Sequence, residues 1–203
     1  MILVRDFSYI WGLVFACCAT LNSFAEELSE SEITKANTAI DVSYLSAEEK
    51  EVIKYVNLVR MYPKKFCRLE VLSINANLGS PLLRRYRSSY GKSLVKELKA
   101  MKPLDPLVLS PSLYVDAKCF AKEQGETGEI GHKREKCVPR KNEAECCHYG
   151  SDNGLEIVLS MLIDYNVPSL GHRRNLLDAR YKRIGVAIGR HVRYVHCCVI
   201  GQK

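Results

Sequence analysis

Residues 184–200 read IGVAIGRHVRYVHCCVI, and this stretch decides the fold class. Apolar side chains alternate with small or polar ones from Ile184 to Ile188 and again from Val192 to Ile200. A period of two is typical of a strand with one buried face, because successive side chains point to opposite sides of a sheet. The stretch predicts two neighbouring strands joined across residues 189–191.

Helical signals precede these strands. Ser46 and Glu49 form a capping box, in which their side chains satisfy free backbone N–H groups at the start of a helix. Asn153 is a second capping residue, placed three positions before Glu156. Apolar residues at helical spacing predict helices over about residues 46–63, 112–125 and 153–168, and a short helical turn at 172–177.

The order of these elements predicts the architecture. Helices come first, one helix lies in the middle, the strands come last, and the chain has no internal repeat. Residues 26–45 are acidic and polar and predict a loose N-terminal lead. We therefore expect a layered α+β or αβα fold in a single domain.

Composition excludes several classes of protein. The chain has 203 residues, of which 47% are hydrophobic and 26% charged, which excludes a disordered chain, a collagen-like repeat and a polytopic membrane protein. Residues 60–102 hold eleven basic and two acidic residues. The net charge of this segment, +9, exceeds the +7 of the whole chain. We interpret this segment as an exposed basic face, with a patch for phosphate or anionic glycans as the alternative, and expect no nucleic-acid partner because no nucleic-acid motif accompanies it.

The N-terminus predicts export. Residues 9–21 are almost continuously apolar, which suits the core of a signal peptide and is too short to span a bilayer. Ser23 and Ala25 are the small residues that favour cleavage after Ala25. We expect a signal peptide at 1–25, a secreted chain and no stable membrane insertion after cleavage; an uncleaved signal anchor and a lipoprotein attached through Cys17 are the alternatives.

Cleavage would leave seven cysteines, an odd number, in an oxidising compartment. We predict at least two intramolecular disulfides, with at least one cysteine unpaired or bonded to another chain. The neighbours Cys197 and Cys198 would point to opposite faces of a strand and need different partners. The candidates are Cys119, Cys137, Cys146, Cys147, Cys197 and Cys198.

Several segments, taken in order over residues 46–200, resemble the CAP superfamily of cysteine-rich secretory proteins, antigen 5 and pathogenesis-related proteins. Residues 56–63 are similar to the family's first helix, with an asparagine, an arginine and a proline. The other matching segments are Leu107 to Gly125, Gly131-His132, Glu143-Ala144-Glu145, Met161 to Asp164, Gly171 to Asn175 and Ile184 to Ile188.

The resemblance implies a three-layer αβα sandwich over residues 46–203, with a surface cleft lined by two histidines and two acids. Carried over by position, these are His132, Glu145, Asp164 and His172. Asp164 stands where the family usually has a glutamate, and Cys146 stands where it has an asparagine.

Two imidazoles and two carboxylates suit either metal binding or acid–base chemistry. Zn²⁺ is the metal we would expect, with His132 and His172 as its ligands; a cage of residues 146–148 and 196–198 is the alternative. The alternatives are that His132 and Glu145 only bond the backbone and that His172 caps a helix. Asp164, at the end of a helix where a negative charge is unfavourable, favours a paired role. The chain has no nucleophile-elbow serine and no HExxH helix. We therefore expect a non-enzymatic module that binds a protein, lipid or glycan, with a metal-assisted hydrolase as the alternative.

Overall fold

The computed structural model describes residues 27–138 and 143–203, so the predicted signal peptide lies outside the described residues. Within these ranges the helices are α1 (Glu30–Ala36), α2 (Ala47–Met61), α3 (Pro63–Phe66), α4 (Leu83–Tyr86), α5 (Ser89–Ala100), α6 (Pro111–Thr127), α7 (Gly154–Ile163) and α8 (Gly171–Leu176). The strands are β1 (Val108–Leu109), β2 (Ala144–Tyr149), β3 (Arg183–His191) and β4 (Val195–Gln202). None of the described helices combines the length and apolar composition needed to cross a bilayer.

The four strands form one sheet in the order β1-β3-β4-β2, with β1 parallel to β3 and the other pairs antiparallel. The two predicted C-terminal strands are confirmed, but the predicted junction at 189–191 is wrong. Gly189 and Arg190 still pair with Cys197 and His196, and the strand continues to His191. The turn lies at residues 192–194, because Gly189 is a packing position rather than a turn residue.

Helices cover both faces of the sheet, which confirms the αβα layers. Helix α6 packs on β3 and β4, while α2 contacts β3, and α7 and α8 contact β2. The α6 face carries small residues at alternate positions of β3, so the helix approaches closely. A Cβ atom on Gly185 would lie 2.3 Å from the backbone of Leu113 and Tyr114 in α6.

The predicted helix starts are confirmed, and two of the predicted ends are wrong. Ser46 and Asn153 cap α2 and α7 as expected. Helix α6 does not end at Gly125, which packs within the helix against the carbonyl of Arg190; it ends before Gly128, whose φ of 75° terminates the helix. Helix α7 ends at Ile163 instead of continuing towards residue 168, because Asp164 adopts left-handed backbone angles.

The N-terminal lead is partly ordered, contrary to expectation. Helix α1 has its own capping box, formed by Ser29 and Glu32. Asn57 of α2 donates hydrogen bonds to the carbonyl of Ala36 at 2.9 Å and to that of Leu107 at 3.0 Å. The lead is therefore tied to the core by a buried amide.

Arg60, in the same helix as Asn57, is completely buried. Its guanidinium donates to the backbone carbonyls of four residues that belong to two separate segments of the chain: Asp105, Leu176, Asp178 and Tyr181. The asparagine and arginine of the first family-like motif thus have structural roles.

One disulfide joins described residues, between Cys119 of α6 and Cys137 in the loop that follows. This pair is among the predicted candidates. The other five cysteines among the described residues are buried thiols: Cys67, Cys146, Cys147, Cys197 and Cys198. The prediction of at least two disulfides is therefore wrong.

The strand register explains why the cysteines of β2 and β4 stay apart. Cys146 lies opposite Ile200 and Cys147 opposite Val199, so neither faces a cysteine directly. The nearest cysteine on the same face is the diagonal neighbour, about 7–8 Å away in a typical sheet. A disulfide requires Cα atoms about 4.4–6.8 Å apart.

Candidate functional site

The first predicted histidine and the first predicted acid form a pair. His132 lies in the loop after α6, and Glu145 lies on the edge strand β2. The Nδ1 atom of His132 is 2.8 Å from Oε1 of Glu145, and 56% of the histidine side chain is exposed. This hydrogen bond raises the pKa of His132, because it outweighs burial and the nearby guanidinium of Arg134.

Arg134 completes this pair, and the sequence analysis did not identify it. Its side chain is only 6% exposed and donates two hydrogen bonds of 3.0 Å to the carboxylate of Asp116 in α6. The same guanidinium also donates to Oε2 of Glu145. Burial alone would raise the pKa of Glu145, but the hydrogen bonds from His132 and Arg134 lower it.

Helix α6 anchors the loop that carries His132 and Arg134. Glu123 of α6 accepts hydrogen bonds from three successive backbone N–H groups, at residues 135–137. The Cys119–Cys137 disulfide fixes the same segment to α6. The loop is therefore anchored by its backbone, while its His132 side chain stays accessible.

The second predicted acid and histidine also form a pair. Oδ1 of Asp164 lies 2.7 Å from Nδ1 of His172, and Oδ2 accepts from the backbone N–H of His172 at 3.0 Å. Asp164 is buried, whereas 24% of the His172 side chain is exposed. The same carboxylate accepts from the backbone N–H of Arg173, so it caps the first turn of α8.

Helix α8 and strand β2 connect the two pairs. Nδ2 of Asn175 lies 3.4 Å from the carbonyl oxygen of Glu145 and 3.7 Å from Sγ of Cys146. The same sulfur is 3.9 Å from the carbonyl oxygen of His172. A cleft of about 470 Å³ opens beside β2. Its lining includes Asp116, His132, Arg134, Glu145, Asn175 and Tyr181.

Neither Asp164 nor His172 is among the described residues that line this cleft. The structure therefore brings the four predicted residues together as two pairs linked through α8. A single cleft shared by both imidazoles stays a prediction.

A model of the CAP family, described as the cysteine-rich secretory protein family, matches residues 54–200. The chain belongs to the CAP family. A search of curated proteins finds no match. Among solved structures, an outer surface protein from Borrelia burgdorferi is similar at 19% sequence identity with a TM-score of 0.41, over 61% of this chain and 94% of that one.

This CAP domain holds one close group of metal-ligating side chains in its described part. His132, Glu145 and Cys147 offer ligand atoms that all lie within 4.8 Å of one another. Sγ of Cys147 is 3.9 Å from Nδ1 of His132 and 3.9 Å from Oε1 of Glu145. Imidazole, carboxylate and thiolate are all ligands of Zn²⁺, so the residues present fit that ion. Neither His172 nor the alternative cage of residues 146–148 and 196–198 appears as such a group among the described residues.

The basic segment of the CAP domain is exposed, as expected. The seven side chains expected to form this face all lie at the surface: Arg84, Arg85, Arg87, Lys92, Lys96, Lys99 and Lys102.

Proposed function

We propose that this CAP domain is a secreted, non-enzymatic interaction module that binds an extracellular partner through the cleft beside β2. The supporting observation is the chain of contacts from His132 through Glu145 and Arg134 to Asp116. Arg134 bonds both carboxylates, and the contacts fix these side chains in a polar surface. Such a surface suits recognition, because its hydrogen-bonding groups are already oriented before a partner arrives.

The character of the cleft favours a polar partner. Charged and amide side chains dominate its lining, and the His132 imidazole is accessible within it. The volume of about 470 Å³ suits a few protein side chains or one or two sugar rings. We therefore propose that a protein or glycan binds here in preference to a lipid chain.

Secretion is part of the proposal. The family is described as secretory, and the Cys119–Cys137 disulfide is typical of an oxidising compartment. N-terminal sequencing of protein recovered outside the cell should give a start near Glu26. Recovery of a chain that begins at Met1 would contradict the signal peptide.

The alternative, a metal-assisted hydrolase, is favoured by the close group of His132, Glu145 and Cys147. The cysteines themselves are poor nucleophiles. Burial raises the pKa of Cys146 to about 12 and that of Cys147 well above its usual range, so without a bound metal both remain thiols at neutral pH. Hydrolysis would therefore have to depend on a metal-bound water.

One comparison separates the two functions. The secreted chain and its His132→Ala variant are assayed against protein, peptide and ester substrates with added Zn²⁺, and we expect no turnover that depends on His132. In parallel, both are tested on arrays of extracellular proteins and glycans together with Arg134→Ala and, as a control on the exposed basic face, Lys96→Ala. Binding that both cleft variants lose and Lys96→Ala retains supports the module, whereas turnover abolished by His132→Ala supports the hydrolase.

A further inference from the structure

We infer that His132, Glu145 and Cys147 form a zinc site in which the thiolate of Cys147 is a protein ligand. The arrangement follows from the strand. Glu145 and Cys147 are two residues apart on β2, so their side chains leave the same face of the sheet. The loop after α6 then places His132 against both of them.

The distances match a single ion. Tetrahedral Zn²⁺ with bonds of about 2.0–2.3 Å holds its ligand atoms roughly 3.3–3.7 Å from one another. The three separations here are 2.8 Å between His132 and Glu145, and 3.9 Å from Cys147 to each of them. Shifts of about half an ångström, within the reach of ordinary side-chain rotation, would bring all three atoms to the required spacing.

The charges around the group also suit a divalent cation. Zn²⁺ would displace the proton of the Cys147 thiol into solvent when it binds. Glu145 and the resulting thiolate then carry one negative charge each, and the neutral imidazole of His132 carries none. Arg134 sits on the far carboxylate oxygen of Glu145 and is itself neutralised by Asp116. The net charge of these five groups is therefore −2, which one Zn²⁺ balances.

The donor set selects the metal. A thiolate beside an imidazole favours Zn²⁺ over Mg²⁺ or Ca²⁺, which prefer oxygen ligands. Arg134 would act on the bound carboxylate from behind and fix its orientation, as partners of metal ligands commonly do. Three protein ligands leave a fourth position for water or for a group of the partner.

This inference goes beyond the proposed function and does not rest on it, because zinc binding is measured without any partner. It also differs from the expectation that His132 and His172 share the ion. Cys147 takes the place of His172, which is not part of the close group of ligand atoms among the described residues.

The test uses the secreted chain titrated with CoCl₂ and ZnCl₂. Cobalt bound to a thiolate gives a charge-transfer absorption band that imidazole and carboxylate ligands do not give. We expect this band in the wild type, its loss when Zn²⁺ displaces cobalt, and at least about a tenfold weaker Zn²⁺ affinity by calorimetry in Cys147→Ser. A wild type that binds cobalt without the band, or binds neither ion, overturns the inference, and this outcome does not depend on whether any variant folds.

Two further variants sharpen the result. Cys146→Ser is the matched control, because Cys146 is the adjacent buried thiol and its side chain leaves the opposite face of β2. We expect it to keep the band and the affinity. His172→Ala distinguishes the two ligand sets: retained affinity supports the Cys147 site, and loss of zinc binding with Cys147→Ser unaffected overturns it.

Discussion

The carboxylate of Asp164 holds His172 at two points, with Oδ1 2.7 Å from the ring Nδ1 and Oδ2 3.0 Å from the backbone nitrogen. This geometry depends on the left-handed backbone of Asp164, whose φ is 55°. Because the chain turns sharply there, an acid one methylene shorter than the family's usual glutamate still reaches the start of α8. Asp164 thus has the paired role that the sequence favours, and it also caps the first turn of α8, which the sequence did not indicate.

Replacing this carboxylate should loosen the turn between α7 and α8. Asp164→Asn keeps a side chain that tolerates left-handed angles, so it removes the charge without adding backbone strain. We expect the free energy of unfolding to fall by about 1–2 kcal/mol, because the amide has one acceptor oxygen where the carboxylate uses two and lacks the charge that favours the start of α8. Urea denaturation measures this change, and an unchanged midpoint would show that the carboxylate is not needed as a cap.

Acid should destabilise the protein through His148. This side chain is 9% exposed, and its Nδ1 has no hydrogen-bond partner among the described residues. Burial, with the charges of Arg85 and His172, lowers the pKa of His148 to about 4. The unfolded chain takes up the proton near pH 6.5, whereas the folded chain does so only near the lowered value. The unfolding free energy should therefore fall as the pH drops from about 6.5 to 4, by up to about 3 kcal/mol.

His148→Phe removes this proton uptake while it keeps a ring of similar size. The difference in unfolding free energy between wild type and variant should change over that pH range and stay constant below it. Thermal or urea denaturation from pH 8 to 3.5 provides the measurement. Parallel pH profiles for the two proteins would contradict a buried neutral histidine.

The close approach of α6 to the sheet predicts different responses from two glycines on the same face of β3. A methyl group on Gly185 would meet the α6 backbone at 2.3 Å, whereas one on Gly189 would lie 3.5 Å from Ala121. Gly185→Ala should therefore lower the unfolding free energy by about 1–3 kcal/mol or more, since the helix must move. Gly189→Ala is the matched control and should change it by less than about 1 kcal/mol. Equal effects in the two variants would contradict the described packing.

The thiol content checks the cysteine assignment directly. In the chain that begins at Glu26, unfolding without a reductant should allow alkylation of five cysteines and leave Cys119 and Cys137 protected. Mass spectrometry of the alkylated peptides identifies them. Replacing both bonded cysteines with alanine should cost about 3 kcal/mol, as expected for a loop of this length. Protection of any residue in β2 or β4 would restore the prediction of a second disulfide.

The sequence determined the elements whose signals are local. A capping box acts within four residues, and the alternation from Ile184 to Ile188 repeats every second residue, so both are legible in a short window. The ordered family-like motifs singled out His132, Glu145, Asp164 and His172, but which acid bonds which histidine came only from the structure.

Long-range packing decided the rest. Gly125 and Gly189 resemble terminators in the sequence, yet Gly125 is a point of close contact between α6 and β3, and Gly189 pairs within the sheet. Four cysteines that invited disulfides are kept apart by a strand register that no local pattern specifies. Asp116 of α6 and Glu145 of β2 are joined only because the loop after α6 places Arg134 between them. The physical reason is common to all of these: a buried charge, a thiol or a glycine takes its role from neighbours that are distant in the chain, and only the folded structure brings them together.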